Sequence, residues 1–394
     1  MTISVFLVII SLVIFWYGVI PIIGGIVDRL KWRQFRQHFD ELRLRPILDY
    51  SIYRKLEKEE KEFRFSGGFE SITDRKTLWI QGENLTIPVS LEDARIYLLP
   101  IQKGDVITDS FDRGGEVPER INWNRVTTLT EGSRVYAGGS LVFRDDRWIF
   151  VSTKDNPLIV IFYDGPDRSL TTRTISAGRR RNAYWNNVTP YSLAMGALCL
   201  ILISLSYLNR PVFRLTVITS LIALFIPLFP MIPPGILFTI ICRRISWQAR
   251  KFMVYSDLAR LPLRYLTPDQ SGGWRNGVLP GGEVYEMICC NTAPKAVTEG
   301  KIPPLITEAQ KSRTKKWYIF GAVRDKDAGD GEELPAEPAD PFATFGFLPE
   351  KPDVLSRRYA IASHTLNIFS WILLLAGIGI NVFFIRLILI LILS

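Results

Sequence analysis

The chain has 394 residues, with 48 Lys and Arg against 39 Asp and Glu, which leaves a formal net charge of +9. Hydrophobic residues make up 47% and charged residues 22%, so the two kinds are segregated along the chain, as in a membrane protein with sizeable aqueous parts. The balance argues against a fully soluble enzyme or a disordered tail. Four cysteines cannot staple a chain of this size, and two histidines leave little for metal or imidazole chemistry.

Four apolar stretches are long enough to cross a bilayer, at residues 3–27, 191–208, 212–242 and 366–393, and none contains an acidic residue. The first reads as a permanent anchor, because it lacks the basic start and small-residue cleavage site of a signal peptide. Residues 28–187 hold 27 of the 48 basic residues and 243–365 hold 18. Lys and Arg near helix ends stay cytoplasmic. The expected topology is therefore four spans in the cytoplasmic (cell) membrane, both termini outside and both large loops cytoplasmic. The sequons at Asn84 and Asn187 would then never meet a glycosylation machinery.

Residues 28–62 are predicted to be a juxtamembrane helical segment. Trp32, Phe35, Phe39 and Leu42 recur at spacings of three and four beside Arg33, Arg36 and Arg43. Two readings stand: a helix lying along the headgroups, or one packing on the adjacent domain. Pro46 breaks it.

Residues 63–170 change to short β-rich runs, at 77–80, 85–89, 95–99, 126–129, 134–143, 148–152 and 158–163. The runs 134–143 and 148–152 are predicted to form a hairpin around Asp145 and Asp146. Gly138 and Gly139 within the longer run predict a bulge or a barrel corner. The stretch Leu129, Thr130, Glu131, Gly132, Ser133, Arg134, Val135, Tyr136, Ala137, Gly138, Gly139 is an acidic-Gly turn leading into a glycine-kinked strand, and it resembles a strand of OB-fold barrels. The resemblance covers about a quarter of the chain and implies a small cytoplasmic OB-like β-barrel domain. Trp79, Trp123, Tyr136 and Trp148 could stack bases in such a barrel. Residues 64–170 nevertheless carry 13 basic and 16 acidic residues, the wrong sign for a phosphate-tracking groove. No nucleic-acid partner is expected.

The third apolar run contains Pro227, Pro230, Pro233 and Pro234, then Gly235. Each proline removes a backbone donor and obstructs the carbonyl four residues back, so a straight helix is ruled out. One reading is a broken helix lining a polar cavity, as in transporters. The other, preferred because the chain shows no ionisable midplane set, is a helix that ends near Phe225 in a proline-rich turn. Arg386 in the last run is expected to snorkel outward, or to make a polar contact near Asn381.

Beyond the third run, residues 243–324 are predicted to comprise a juxtamembrane helix over 243–266 and an irregular region with strands near 283–290 and 317–323, either a loose domain or an extension packing on the first one. Residues 325–353 read as an acidic flexible linker. The Gly-rich segment 268–290 is the one place where an unfamiliar active site would fit. No phosphate loop, nucleophile elbow or metal-binding helix motif is present, and no catalytic, cofactor-binding or metal-ligating residue is assigned. Expected contacts with anionic lipid headgroups are Arg29, Lys31, Arg33, Arg36, Arg179, Arg180, Arg181, Arg243, Arg244, Arg250, Lys251, Arg357 and Arg358.

The fold class expected is a membrane protein of α+β type, with four transmembrane helices, the OB-like domain and a second, irregular cytoplasmic domain. The function expected is a non-enzymatic membrane scaffold or assembly protein, presenting its β domain to a protein partner, a second copy or the lipid surface. The alternative is a transport or lipid-handling component that uses the broken third helix.

Overall fold

A computed structural model describes residues 3–57, 59–73, 76–99, 119–122, 126, 133–179, 184–233, 235–269, 273–306, 316–323 and 334–393. In chain order its elements are α1 (Ile3–Val13), a π-helical segment (Ile14–Val19), α2 (Ile20–Leu42), α3 (Tyr50–Tyr53), β1 (Lys61–Thr73), β2 (Thr77–Gln81), β3 (Thr86–Ser90), β4 (Arg95–Leu99), β5 (Glu119–Ile121), β6 (Arg134–Arg144), β7 (Arg147–Val151), β8 (Ile159–Tyr163) and α4 (Asp167–Ser176). There follow α5 (Thr189–Tyr207), α6 (Arg214–Leu224), a 3₁₀ segment (Ile226–Met231), α7 (Gly235–Arg260), β9 (Thr267–Pro268), β10 (Trp274–Arg275), β11 (Gly277–Val278), β12 (Val284–Cys290), α8 (Lys295–Thr298), β13 (Trp317–Ala322), β14 (Gly346–Leu348) and α9 (Pro352–Leu393).

The chain divides into two compact units. Unit 1 gathers Met1–Gln34, Arg179–Phe252 and Ile361–Ser394, and unit 2 gathers Phe35–Gly178 with Met253–Ala360. Among the described residues, three helices are long and apolar enough to cross a membrane: Ser4–Leu42, Thr189–Tyr207 and Pro352–Phe384. The third predicted span is not one of them. Its prolines divide it into α6, only 11 residues long, a 3₁₀ segment and the start of α7.

Unit 2 is built on a mixed sheet of eight strands, in the order β1-β2-β3-β7-β6-β8-β4-β5, with a further pairing of β1 to β6. That extra pairing makes the contacts β1–β2, β2–β3, β3–β7, β7–β6 and β6–β1 return to their starting strand. Two strands, β1 and β6, change partner along their length. Gly68 of β1 pairs with both Arg134 and Gln81, so the strand passes from β6 to β2 at that point. A Cβ on the preceding Gly67 would lie 2.3 Å from the Gln81 carbonyl oxygen. Along β6, residues up to Gly138 pair with β8 and residues from Ser140 pair with β7. At Gly139, between the two, a Cβ would lie 2.9 Å from Leu158. The glycine pair in β6 thus marks a change of partner, and the register of β6 against β1 is unbroken there. The bulge lies in β1, between Phe69 and Ser71.

The hairpin of β6 and β7 forms as expected. Asp145 and Asp146 both have positive φ, the geometry of the two-residue turns that match strand twist. Sequence reading missed β1 and β5, whose residues mix charge and glycine with apolar positions. Of the expected strand at 126–129, Val126 is described and is buried outside any strand, and the rest lies outside the described residues.

One sheet face encloses Phe63, Phe65, Leu78, Ile80, Val89, Val135, Leu141, Phe150 and Phe162. On the other face, Phe35 of α2 stacks on Tyr97 at 4.0 Å between ring centroids, and Phe39 meets Tyr136 at 5.4 Å. Of the two readings of the α2 stripe, the domain-packing one holds: Phe35, Phe39 and Leu42 are all buried. Each buried phenyl contributes about 2–3 kcal/mol of transfer free energy, more than an interfacial pose would supply.

Residues 253–360 belong to this same unit. They contain a four-stranded sheet, β11-β12-β13-β14. Of the expected acidic linker, residues 334–353 carry β14 and the buried Asp340, Phe342, Phe347 and Leu348; residues 325–333 lie outside the described residues. The acidic, proline-rich composition suggested solvation, but its few aromatic residues are the ones that pack.

Candidate functional site

Among the described residues, buried polar groups concentrate at two helix breaks in unit 1 and at one ionic cluster in unit 2. In unit 1 the first lies at the proline break. Pro227 and Pro230 fall within the 3₁₀ segment, Pro233 follows it, and Pro234 lies outside the described residues. α6 ends at Leu224 with Phe225 as its C-terminal cap, where the preferred reading put it. The carbonyls of Phe229, Pro230 and Ile232 at the break each have a side-chain donor. Asn381 of α9 donates its amide to the Phe229 and Ile232 carbonyls and accepts at 2.9 Å from Gly235 N–H, the first donor of α7. Thr239 Oγ1 donates to the Pro230 carbonyl at 2.6 Å. Asn381 is 1% exposed. One neutral side chain therefore caps the helix start and closes the gap before it.

A second break in unit 1 has the same logic. Pro21 has no N–H, so the Tyr17 carbonyl four residues back loses its helical donor. The helix responds with a π-helical turn, in which Ile20 N–H bonds to the Phe15 carbonyl. The Tyr184 hydroxyl donates to Tyr17 O at 2.9 Å, Ser192 of α5 donates to Trp16 O, and Asn186 donates to Pro21 O at 2.9 Å.

Helices α7 and α9 pack along small residues spaced by sevens. In unit 2 the Ser256 and Ser356 hydroxyls lie 3.1 Å apart. In unit 1 Ser363 Oγ donates to Ala249 O at 2.7 Å, and a Cβ on Gly377 would lie 3.4 Å from Gly235 O. From Ser356 to Ser363 the step is seven residues forward in α9, and from Ser256 to Ala249 seven back in α7. Small residues at that period let two antiparallel helices approach closely.

In unit 2 the buried set is ionic. Arg64 of β1 makes a two-pronged pair with Asp340: Nη1 donates to Oδ1 at 3.2 Å and Nη2 to Oδ2, while Nε donates to Arg45 O at 2.7 Å. Both side chains are almost wholly buried, at 1% and 4% exposure. Asp340 Oδ1 also accepts from Phe342 N–H at 2.9 Å. Beside this pair, Arg43 contacts Asp40 at 2.8 Å, donates to Leu261 O at 3.3 Å and lies over the Tyr265 ring. Tyr285 donates to Thr344 O at 2.6 Å. Burial holds the Tyr136, Tyr265 and Tyr285 hydroxyls above the usual phenol range. This network ties 43–64 to 261–344 within unit 2.

The thirteen basic residues expected at headgroups divide. Arg29, Lys31, Arg33, Arg243 and Arg244 are exposed in unit 1, and Arg179, Arg250 and Lys251 are half-buried there. Arg180 and Arg181 lie outside the described residues. In unit 2, Arg36 donates to Ala177 O at 2.6 Å, which gives it a structural role within the domain. Arg357 and Arg358 are exposed, with Arg358 paired to Glu350 at 2.9 Å. His38 Nε2 hydrogen-bonds Pro157 O at 2.7 Å in unit 2.

The Gly-rich segment has a packing explanation among its described residues. A Cβ on Gly277 would lie 1.6 Å from Tyr265 O, and Gly282 turns with φ +88. No group of three His, Cys, Asp or Glu among the described residues could hold a metal ion. Comparison with protein-family models, with curated proteins and with solved structures gives no match.

Asn381 had a sequence signal, as a polar amide within an apolar run. Arg64 and Asp340 had none. They are 276 residues apart, and each sits in a locally charged stretch.

Proposed function

We propose that this chain is a four-crossing membrane scaffold that holds one composite domain at the cytoplasmic face. The observation that carries the reading is the make-up of unit 2. Two chain segments, separated by membrane-length apolar sequence, fold into one body around the buried Arg64–Asp340 pair. A single body cannot straddle a bilayer core, so the chain must leave and re-enter the membrane on one side between the segments. That requires an even number of crossings across residues 179–252, with α5 going out and the broken run returning. The return path is long enough: α6 spans ~16 Å and the apolar start of α7 ~12 Å at 1.5 Å per residue, with the 3₁₀ segment between them. The concentration of Lys and Arg in residues 28–187 and 243–365, with only three elsewhere, supports a cytoplasmic position for that side.

The closed circuit of five strand pairings, with its bulged first strand and the single parallel pair Val89–Phe150, supports an OB-like barrel within the larger sheet. Such a barrel would offer a protein partner a surface held close to lipid. The transport reading gains no support from the break, because the Phe229, Pro230 and Ile232 carbonyls already have donors.

Single cysteines in place of Lys154 and Glu299, both exposed and one from each segment, test the topology in a chain stripped of native cysteines. Both should react with an impermeant maleimide only from the cytoplasmic side; reaction of either from outside overturns the arrangement. Crosslinking in the native membrane should recover a stoichiometric protein partner or a second copy. A chain that remains alone would sink the scaffold reading.

A further inference from the structure

Non-helical backbone closes α5 at both ends, and the helix between is as long as a bilayer core is thick. Its 19 residues span about 28 Å, against about 30 Å of hydrocarbon. At the far end the chain turns through residues 208–210, where the Tyr207 and Phe213 rings lie 4.9 Å apart beside the exposed Arg210 and Arg214. At the near end, residues 184–188 are bends and turns, with Asn187 exposed. Two large aromatics flank that amide in the open: Trp185 is 59% exposed, and Tyr191, in the first turn of the helix, is 74% exposed.

Hydrogen bonds fix the near end against the first helix, within unit 1. Asn186 donates to Pro21 O at 2.9 Å, Tyr184 to Tyr17 O at 2.9 Å, and Ser192 to Trp16 O. A Cβ on Gly24 would lie 2.5 Å from Asn186 Oδ1. Residues 184–188 are therefore level with Pro21 and Gly24. Hydropathy alone carries the first span on to Val27, six residues past Pro21 and about 9 Å further along the helix. A hydrocarbon edge at Val27 would place the bends at 184–188, with the exposed Asn187 amide, among acyl chains. Lipid-exposed irregular backbone does not occur at that depth. An exposed Trp and Tyr instead suit the layer just outside it, where the ring meets the acyl chains and the indole N–H or the hydroxyl meets ester oxygens.

We propose that Trp185 and Tyr191 lie in the headgroup layer, and that the hydrocarbon edge runs level with Pro21 and Thr189. The exposed Ile26 and Val27 then stand outside the acyl chains. The proposal rests on the reading of unit 1 as bilayer-embedded.

The test uses the full chain in phosphatidylcholine nanodiscs. Trp185→Phe removes one of ten Trp residues, so the difference between wild-type and variant emission isolates Trp185. Lipids brominated near the ester should quench that difference about twofold or more over lipids brominated near the chain ends. Tyr191→Trp in the Trp185→Phe chain should add emission with the same preference. Spin labels on single cysteines at Val188, Ile26 and Leu198, in a chain stripped of native cysteines, keep the test decisive if Trp185→Phe is unstable. The Leu198 label, ten residues on from Val188, should lie about 15 Å deeper than the Val188 label. The Ile26 label should lie no deeper than the Val188 label. Strongest quenching by bromines near the chain ends, or an Ile26 label inside the hydrocarbon, overturns the proposal. Extraction of the wild-type chain by alkaline carbonate would instead remove the membrane reading on which it depends.

Discussion

In unit 1 the buried polar groups are backbone carbonyls freed by proline, and their partners are neutral: Asn381, Thr239, Tyr184 and Ser192. In unit 2 they are ions, Arg64 with Asp340 and Arg43 with Asp40. The difference follows from what surrounds them. A lone charge among apolar helices has no cheap partner, whereas an amide satisfies a donor and two acceptors without carrying charge. Inside the domain the Arg64–Asp340 pair is tolerable, because the Arg45 carbonyl and the Phe342 N–H complete its hydrogen bonds. It also has a directional use, since neither segment can bury its charge until the other arrives.

The contrast can be broken most strongly in unit 2. Asp340→Ala leaves the Arg64 guanidinium buried without its carboxylate and should destabilise the domain by about 3–5 kcal/mol in denaturant unfolding. Arg64→Met with Asp340→Leu should recover much of that loss. If the double variant is no better than the single, the pair is not the unit of stabilisation.

Alkaline pH comes next. Tyr136 and Tyr285 are held above the ordinary phenol value by burial, so the unfolded chain ionises them first. Stability from these phenols is intact below the unfolded value near pH 10 and is lost as pH rises toward the folded values. About 2–3 kcal/mol should be gone by pH 11. Tyrosinate absorbance should lag behind that of the denatured chain; its absence would show these rings to be solvated.

Asn381→Leu should cost unit 1 about 2 kcal/mol, from three backbone groups worth ~0.6 kcal/mol each between membrane helices. A larger loss would mean that the break has no other way to close. The smallest effect is expected for Tyr184→Phe, about 0.6 kcal/mol, because only the Tyr17 carbonyl loses its donor. Thermal unfolding in detergent with helix-specific probes would resolve the order of these two.

Several features were legible because their cause is local. The apolar runs, the proline break with its end at Phe225, the Asp145–Asp146 hairpin and the strands near 284–290 and 317–322 all follow from spacing or turn chemistry within a few residues. The seven-residue spacing of Ser356, Ser363, Ser370 and Gly377 was equally local, but it predicts close packing without naming the partner helix.

The sequence by itself determined where the chain can meet lipid and where it must break, because hydropathy and the missing proline N–H act within one segment. Only the tertiary structure decided that residues 35–178 and 253–360 are one body, that Asn381 rather than a cavity takes up the freed carbonyls, and that Arg36 and Arg43 face inward while Arg29 and Arg243 remain exposed. These outcomes depend on pairs separated by more than a hundred residues in sequence. Local pattern shows that such a charge or amide needs a partner, and the packing of distant segments supplies it.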